Sequence, residues 1–334
     1  MNLVHKKRMN TDQMEMVSLE QLVSAEHVYR KFMKLLDFTR IAERLQKLEN
    51  NQHHGAKGYG IEVLFRCLLL QFIEDVSDRE LEKMLQENNA AKYFCGFRLC
   101  EVTPDFSLFS KTRKKIGPEE LGALFAKLRD QLRAHGYMNE IFNFVDASHL
   151  VSKAALWEER DEAIKKRYEA LNNQTLPKVA KDKQARFGCK GGTQFWYGYK
   201  EHVSVDMQSG LINKIAITPA NVTDAHGFKH VRPKQGAVYG DKGYCTKPVR
   251  EEMAKRGLHD ATIKLNHMRA KDRDKDRWLT KIRAPYERVF SKRGRKTKYG
   301  GIAKNQFRAF GRAIAHNLKR LTILQAHNTG LKLA

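Results

Sequence analysis

The hydrophobic period of this 334-residue chain changes near Gly136, and this change limits the folds that the chain can adopt. Before Gly136, apolar residues recur every three or four positions, for example in 61–73 and 121–132, and this spacing predicts amphipathic helices. After it, short apolar segments bounded by turn residues predict β-strands. We therefore predict an α+β protein, with a helical domain over residues 1–138 and a mixed α/β domain over residues 139–334.

The helical domain contains two marked helix starts, and a basic helix follows the second. Ser77-Asp-Arg-Glu80 is a capping box, in which the two end residues satisfy each other's backbone amides. Pro104 fits the first helical position after Thr103. Capped helices followed by a basic one predict a helix-turn-helix-like DNA-binding domain, and a plain helical bundle with a solvated face is the alternative. The predicted DNA contacts on the basic helix are Lys111, Arg113, Lys114 and Lys115.

After residue 139, strands and helices follow one another in an order that defines one type of sheet. The predicted strands are 141–145, 196–205, 211–218, 237–239 and 261–265, and the predicted helices are 154–171, 226–231, 248–256 and those after 285. A strand, a hairpin and then alternating helices and strands match a ribonuclease-H-like layout. In that layout the first three strands are antiparallel and helices flank the sheet.

Three acidic residues stand where such a sheet would bring them together. Asp146 ends an apolar run, and Asp241 follows the short strand 237–239. Glu287 precedes 288–334, which contains twelve Lys/Arg and no acid. Carboxylates at neighbouring strand ends can bind divalent metal ions. The alternative is structural, because an Asp at a strand end is often a turn residue and a Glu among arginines can simply pair with them.

The formal net charge of +24 is concentrated at the end of the chain. Residues 245–334 contain 24 Lys/Arg against 7 Asp/Glu, which predicts a polyanionic partner such as nucleic acid. A solvated helix face is the alternative, but a block of one sign beside Glu287 favours contact with the DNA backbone. The predicted contacts in this block are Arg288, Lys292, Arg293, Arg295, Lys296 and Lys298.

Other polar residues near the acids are mostly explained by structural roles. Asp206 lies at a hairpin turn and Asp224 at a helix N-cap, so we interpret both as structural. His149 follows Asp146 by three positions, so in a strand the two side chains point to opposite faces. His202 is interpreted as a core or supporting residue. Lys200 is a candidate for contact with a phosphate of the partner.

The sequence gives no sign of a zinc site or a membrane span. Cys95 and Cys100 lack a second Cys/His pair at zinc-ligand spacing, so we expect reduced thiols. The most apolar run, 63–73, contains Arg66 and is too short to cross a bilayer. We therefore expect a soluble protein of the cytoplasm, without a membrane partner.

Ten short motifs, taken in order and spacing, resemble one known family. They are Leu68-Leu-Leu-Gln71, Val76-Ser-Asp-Arg-Glu-Leu81, Thr103-Pro-Asp-Phe-Ser-Leu-Phe109, Val145-Asp-Ala-Ser148, Tyr197-Gly-Tyr-Lys-Glu-His202, Val205-Asp-Met-Gln-Ser-Gly-Leu211, Thr218-Pro-Ala-Asn-Val-Thr-Asp224, Tyr239-Gly-Asp-Lys-Gly-Tyr244, Tyr286-Glu-Arg-Val-Phe290 and Lys304-Asn305. Across roughly residues 35–325 the chain resembles DDE transposases of bacterial insertion sequences, of the insertion-sequence-five type within the four/five superfamily.

The resemblance implies a catalytic role for the three acids. Asp146 and Asp241 match the two catalytic aspartates of the family, and Glu287 matches its glutamate. Arg283 matches the arginine of the signature around that glutamate and is a further predicted DNA contact. The 46 residues from Asp241 to Glu287 leave no room for the β insertion domain of some relatives.

Two positions depart from the family signature. Thr280 stands where a tyrosine often precedes the arginine, and Gly294 stands where a lysine is expected. The metal-binding acids are unaffected, but the lysine contact would have to come from one of its basic neighbours, Lys292, Arg293 or Arg295.

The resemblance also implies cofactors, partners and activity. We expect two Mg²⁺ or Mn²⁺ ions, binding to terminal inverted repeats and target DNA, and a homodimer or higher oligomer on that DNA in the bacterial nucleoid. The implied activity is metal-dependent cleavage and strand transfer at the ends of an insertion sequence. A catalytically silent DNA-binding descendant and a ribonuclease-H-like nuclease without strand transfer are the alternatives. The silent descendant is disfavoured because all three acids are present, and the nuclease because it has no need of a helical domain.

Overall fold

A computed structural model describes residues 16–48, 58–152, 180–190, 194–268, 271–291, 296–324 and 333. The predicted helix 154–171 lies outside these residues, and so do the predicted DNA contacts Lys292, Arg293 and Arg295. No helix among the described residues is both long and apolar enough to cross a membrane.

Helices alone form the described part of the chain before residue 138. Their bounds are α1 (Leu19–Leu22), α2 (Val28–Leu35), α3 (Phe38–Gln46), α4 (Ile61–Glu74), α5 (Asp78–Glu87), α6 (Asn89–Cys95) and α7 (Phe106–Ala134). The capping box at the start of α5 is confirmed, because the Ser77 and Glu80 side chains each accept from the other's backbone amide. The next helix begins later than predicted: Asp105 is its N-cap, and Pro104 lies outside it.

Seven strands among the described residues form one mixed sheet. Their bounds are β1 (Phe142–Ser152), β2 (Arg186–Lys190), β3 (Gln194–Asp206), β4 (Ile212–Pro219), β5 (Ala237–Tyr239), β6 (His259–Asp260) and β7 (Lys296–Thr297). The central order is β4-β3-β1-β5-β6, in which β1, β3 and β4 are antiparallel and β5 lies parallel to β1 and β6. This arrangement agrees with the predicted hairpin and antiparallel first strands.

Helices connect and cover these strands. Their bounds are α8 (Asp224–Val231), α9 (Lys247–Lys255), α10 (Arg273–Ser291) and α11 (Ile302–Ile323). The predicted start of the third of these near residue 285 is wrong, because α10 begins at Arg273 with Asp274 and Asp276 in its first turn and includes Pro285. Acids in the first turn favour that start, since they lie at the positive end of the helix dipole.

Two strands also differ from their predicted lengths. β1 continues to Ser152, because β3 pairs with it as far as Val151, so Asp146 lies inside the strand rather than at its end. The predicted strand 261–265 is not a strand, although the Ala261 amide still donates to the carbonyl of Val238 in β5.

The helix α11 joins the helical part to the sheet. It packs against α4 and α7 on one side and β4 on the other. Asn317 accepts from the Ile212 amide at 2.7 Å and donates to the Ile212 carbonyl at 2.9 Å. Gly311 lies so close to Phe72 of α4 that a Cβ there would be 2.3 Å from the ring. One hydrophobic core therefore extends through both predicted domains.

Candidate active site

The register of two parallel strands places Asp146 and Asp241 side by side. β1 and β5 pair from Phe142 with Ala237 to Phe144 with Tyr239. Two residues further along each chain stand Asp146 and Asp241. Because side chains alternate along a strand, Asp146 shares the face of Phe144. The two acids predicted from the sequence therefore stand level on adjacent segments.

Asp241 is held by the turn that follows β5. It is the N-cap of a 3₁₀ turn, Lys242–Tyr244, and its Oδ1 accepts from the Gly243 amide at 2.9 Å. A Cβ on Gly243 would lie 3.0 Å from Asp241 Oδ1 and 3.3 Å from Asp224 Oδ2. Gly243 thus separates two carboxylates at close range, and any larger residue would push them apart.

The Asp146 carboxyl is partly buried and lies near other carboxylates. Its Oδ1 accepts from the Ala147 amide at 2.8 Å. The pKa of this carboxyl is raised to about 7, chiefly because the group is buried, while the hydrogen bond from Ala147 lowers the pKa. The Asp241 carboxylate raises the pKa further, and the Arg283 guanidinium lowers it. A cation bound at this point of the sheet would favour the charged form of both carboxylates.

Glu287 lies on α10, one turn after Arg283. Its side chain is 53% exposed, and Oε1 is 3.6 Å from the nearly buried Arg283 guanidinium. That guanidinium lies over the Phe144 ring, 5.6 Å from its centre. Arg283, which we predicted to contact DNA, therefore links Glu287 to Asp146: it pairs with the first and lowers the pKa of the second.

The donor set fits a hard divalent cation better than it fits zinc. Asp146 and Asp241 offer only carboxylate oxygens, which Mg²⁺ and Mn²⁺ prefer. Among the described residues, no group of three or more His, Cys, Asp and Glu side chains is close enough to hold a metal ion. The structure brings the two aspartates together, whereas Glu287 is engaged with Arg283.

The sequence did not point to Asp224 as a neighbour of these acids. Thr223, not Asp224, is the N-cap of α8, and its Oγ1 accepts from the His226 amide at 3.3 Å. Asp224 is the first residue of α8, and its Oδ1 accepts from Lys200 Nζ at 2.8 Å. Because α8 packs against β1, its first residue reaches Asp146 and raises the pKa of that carboxyl.

Tyr244 was also missed, although it lies among all these charges. Its ring is fully buried, and within the described part of the chain its hydroxyl has no hydrogen-bond partner. Burial raises its pKa far above the usual value, and the Asp224, Asp146 and Asp241 carboxylates raise it further. Only the fold reveals the position of Tyr244, because its ring packs in one buried cluster with Val145 of β1 and Phe228 of α8.

The histidines near the acids behave as the sequence predicted. His202 is fully buried, with Nε2 2.8 Å from the Thr218 hydroxyl, and burial lowers its pKa to about 4. Gly227 of α8 lies directly against its ring. His149 shares β1 with Asp146 at opposite parity, and its ring lies 5.4 Å from that of Trp196.

The other predicted DNA contacts differ in their surroundings. Arg113 pairs with Asp78 and lies over the Tyr299 ring, so its guanidinium makes contacts within the protein. The side chain of Arg288 lies outside the described part. Exposed side chains among the predicted contacts are those of Lys111, Lys114, Lys115, Lys296 and Lys298.

Two models of known protein families match this chain. The model of a transposase domain family (DUF772) matches residues 17–115, and that of the transposase DDE domain matches residues 165–318. The second match includes Asp241 and Glu287 and implies a ribonuclease-H-like domain, and Asp146 precedes it in β1. No solved structure matches the chain. With these two matches in succession along its length, the chain belongs to the DDE transposases of the insertion-sequence type.

Proposed function

We propose that this transposase, of the insertion-sequence-five type, cleaves DNA at the ends of an insertion sequence and joins them to target DNA. The observation that carries the proposal is the level placement of Asp146 and Asp241 on adjacent segments. The match of the DDE domain supports it, because transposases of this family are DNA phosphoryl transferases.

Asp146, Asp241 and Glu287 would hold two Mg²⁺ or Mn²⁺ ions. Bound there, such ions activate the attacking hydroxyl and stabilise the leaving oxygen. The chain orients the aspartates with two backbone amides, those of Ala147 and Gly243, which each fix one carboxylate oxygen. Glu287 is assigned on the family signature, so its ion pair with Arg283 must open before it joins the aspartates.

Basic side chains around the acids would bind the negatively charged backbone of DNA. Lys200 stands beside the acids and is held by Asp224 at 2.8 Å, which orients its ammonium group toward this part of the sheet. Arg283 would be freed for a phosphate when Glu287 leaves it. Further DNA contacts are proposed for Lys111, Lys114, Lys115 and Lys296, and the joining of two ends implies a dimer or larger assembly.

The test is DNA cleavage and joining by the full-length protein. With Mg²⁺ and DNA that carries the ends of its element, the wild type should produce 3′-end cleavage and joined products. Asp146→Asn, Asp241→Asn and Glu287→Gln should each lower cleavage at least a hundredfold while DNA binding persists. The matched control is Glu251→Gln, an exposed acid of α9.

Each outcome decides among the functions considered. Near-normal cleavage by one of the three variants would remove that residue from the metal site. Binding without cleavage by the wild type would favour the silent descendant. Cleavage without joining would favour a plain nuclease.

A further inference from the structure

A cleft of about 550 Å³ opens where the end of β1 meets the start of α11. Its lining includes four lysines from two stretches of the chain, Lys181, Lys183, Lys298 and Lys304. All four side chains are exposed. Throughout the described residues, no salt bridge joins any of them to a carboxylate, although Lys298 acts at longer range on Asp78 and Glu80 and lowers the pKa of both. Four positive charges that share one cleft repel each other, so they favour an anion that lies between them.

The floor of this cleft is a network of hydrogen bonds around one buried carboxylate. Asp182 is buried there, and its carboxylate accepts from the Tyr199 hydroxyl at 2.7 Å. It also accepts from the Gly301 amide at 3.2 Å and from the Ser152 hydroxyl at 3.3 Å. These hydrogen bonds hold the Asp182 carboxylate, the one acid among the described residues of the cleft lining, inside the protein. It therefore does not compete with a ligand for the lysines.

The rim is held by contacts on both sides. Tyr299, between Lys298 and Gly300, lies under the Arg113 guanidinium of α7 at 5.5 Å. On the other side, the amide of Ile302 donates to the Gln184 side chain at 2.7 Å. The lysines therefore stand on a frame that is already in place before a ligand arrives, which limits the entropy lost on binding.

We propose that this lysine cleft, defined by Lys181, Lys183, Lys298 and Lys304, binds the phosphate backbone of DNA at a distance from the acids. The inference rests on the proposed function, since it assigns a second DNA contact to the same enzyme. Inorganic phosphate offers the same chemistry. A DNA backbone is the better occupant, because the lysines are spread over a cleft of about 550 Å³ and a series of phosphates can meet all of them.

The strand β1 gives the separation of the cleft from the acids. Ser152, on its floor, and Asp146 lie on the same strand face, six residues apart, so roughly 20 Å separates them. B-DNA carries one phosphate per strand for about every 3.4 Å of its axis. About six base-pair steps rotate a duplex by somewhat more than half a turn, so a duplex lying along β1 with its scissile phosphate at Asp146 would place over the cleft a phosphate of the complementary strand, about six base pairs away along the axis.

The first experiment measures DNA affinity against salt. The variant changes all four cleft lysines to Gln, and the control changes four exposed lysines elsewhere, Lys34, Lys229, Lys247 and Lys255, so the net charge is equal. Anisotropy titrations of end and random duplexes should show a shallower salt slope for the cleft variant, by about 0.9 for each phosphate that it no longer neutralises and up to about 3.6. The control should keep the wild-type slope within about one unit. Equal slopes for the two variants would overturn the proposal.

The second experiment locates the bound phosphate on the DNA. End duplexes that carry one neutral methylphosphonate at successive positions of the complementary strand should lose affinity about six base pairs from the cleaved bond, and the cleft variant should not respond there. A scan in which that region never affects wild-type binding would also overturn the proposal. Displacement of DNA by inorganic phosphate at constant ionic strength, in the wild type but not in the cleft variant, would identify a small-anion site instead.

Two controls separate this inference from the proposed function. Circular dichroism checks the fold of the four-lysine variant, and Lys298→Gln/Lys304→Gln replaces it if folding fails. Cleavage by the wild type is measured beside binding, so that the acids and the cleft are tested separately. A wild type that cuts DNA together with a cleft variant that binds like the control would reject the cleft alone. A wild type that neither binds nor cuts end DNA would reject the proposed function.

Discussion

At position 227, only a glycine leaves room for the imidazole of His202. A Cβ on Gly227 would lie 2.1 Å from Cε1 of that ring, which is itself enclosed in the core. We predict that Gly227→Ala lowers the free energy of unfolding by about 2 to 3 kcal/mol, since overpacking forces the ring or α8 to move. Denaturant unfolding measures the change.

A double-mutant cycle shows whether the ring is the cause. If it is, Gly227→Ala should cost much less in a His202→Ala background than in the wild type. Equal costs in both backgrounds would mean that the loss comes from the helix and not from the ring.

His202 should also make stability depend on pH. Its folded pKa of about 4 lies below the ordinary value of 6.5, so the folded state favours the neutral ring. The contribution is fully present above pH 6.5 and is lost as the pH falls toward 4. At pH 4.5 it should amount to a loss of about 2.5 kcal/mol relative to pH 7.

The measurement compares unfolding at the two pH values. His202→Gln keeps a polar partner for Thr218 but has no proton to gain, so its unfolding free energy should fall less on acidification than that of the wild type. His259→Gln, at an exposed histidine, is the control and should behave as the wild type. An identical acid response for His202→Gln would contradict the prediction.

Single residues were predictable where local chemistry identifies them. Asp146 and Asp241 stand directly after apolar segments, and the sequence shows that directly. The placement of Tyr244 and Asp224 beside them was not predictable, because it depends on how a turn and a helix pack onto β1. Arg283 illustrates the same limit: its match to the family signature is local, but its position over Phe144 is tertiary.

At the scale of elements, α11 is fixed to the sheet by one amide side chain. Asn317 satisfies both backbone groups of Ile212 and is nearly buried. Asn317→Ala would leave a buried donor and a buried acceptor without partners, so we predict a loss of about 2 to 4 kcal/mol in unfolding free energy. Thermal unfolding measures it, and Ile323→Ala, at a 68% exposed site of the same helix, is the control. Equal small losses would show that α11 is held by apolar packing alone.

Elements were predicted well where the signal is local and poorly where pairing decides. The start of α5 and the β3-β4 hairpin carry caps and turns in the sequence, and both agree with the structure. β1 extends past its apolar run because the long β3 lies beside it and supplies hydrogen bonds. α10 begins twelve residues before Pro285, since a proline inside a helix does not prevent the helix when packing supports it.

At the scale of the molecule, the helical part and the sheet share one core, so we expect that the two predicted domains do not fold independently. α11 covers α4 and α7, and Leu333 pairs with Leu36 near the other end of the chain. We predict that a fragment of residues 1–138 lacks a cooperative unfolding transition, because its α4 and α7 faces lose their cover.

Differential scanning calorimetry of the fragment is the measurement, with the intact chain as the control. Addition of a peptide that spans 302–323 should restore part of the transition. A sharp transition in the fragment alone would show that the helical part is a separate domain after all.

The position of α11 has a consequence for synthesis on the ribosome. The apolar faces of α4 and α7 are synthesised long before their cover, because α7 ends at Ala134 and α11 begins only at Ile302. At about 5 to 20 residues per second, the ribosome needs roughly ten to thirty seconds to reach residue 302 from residue 134. During that interval the nascent chain carries an incomplete core, so we expect it to depend on chaperones until α11 has emerged.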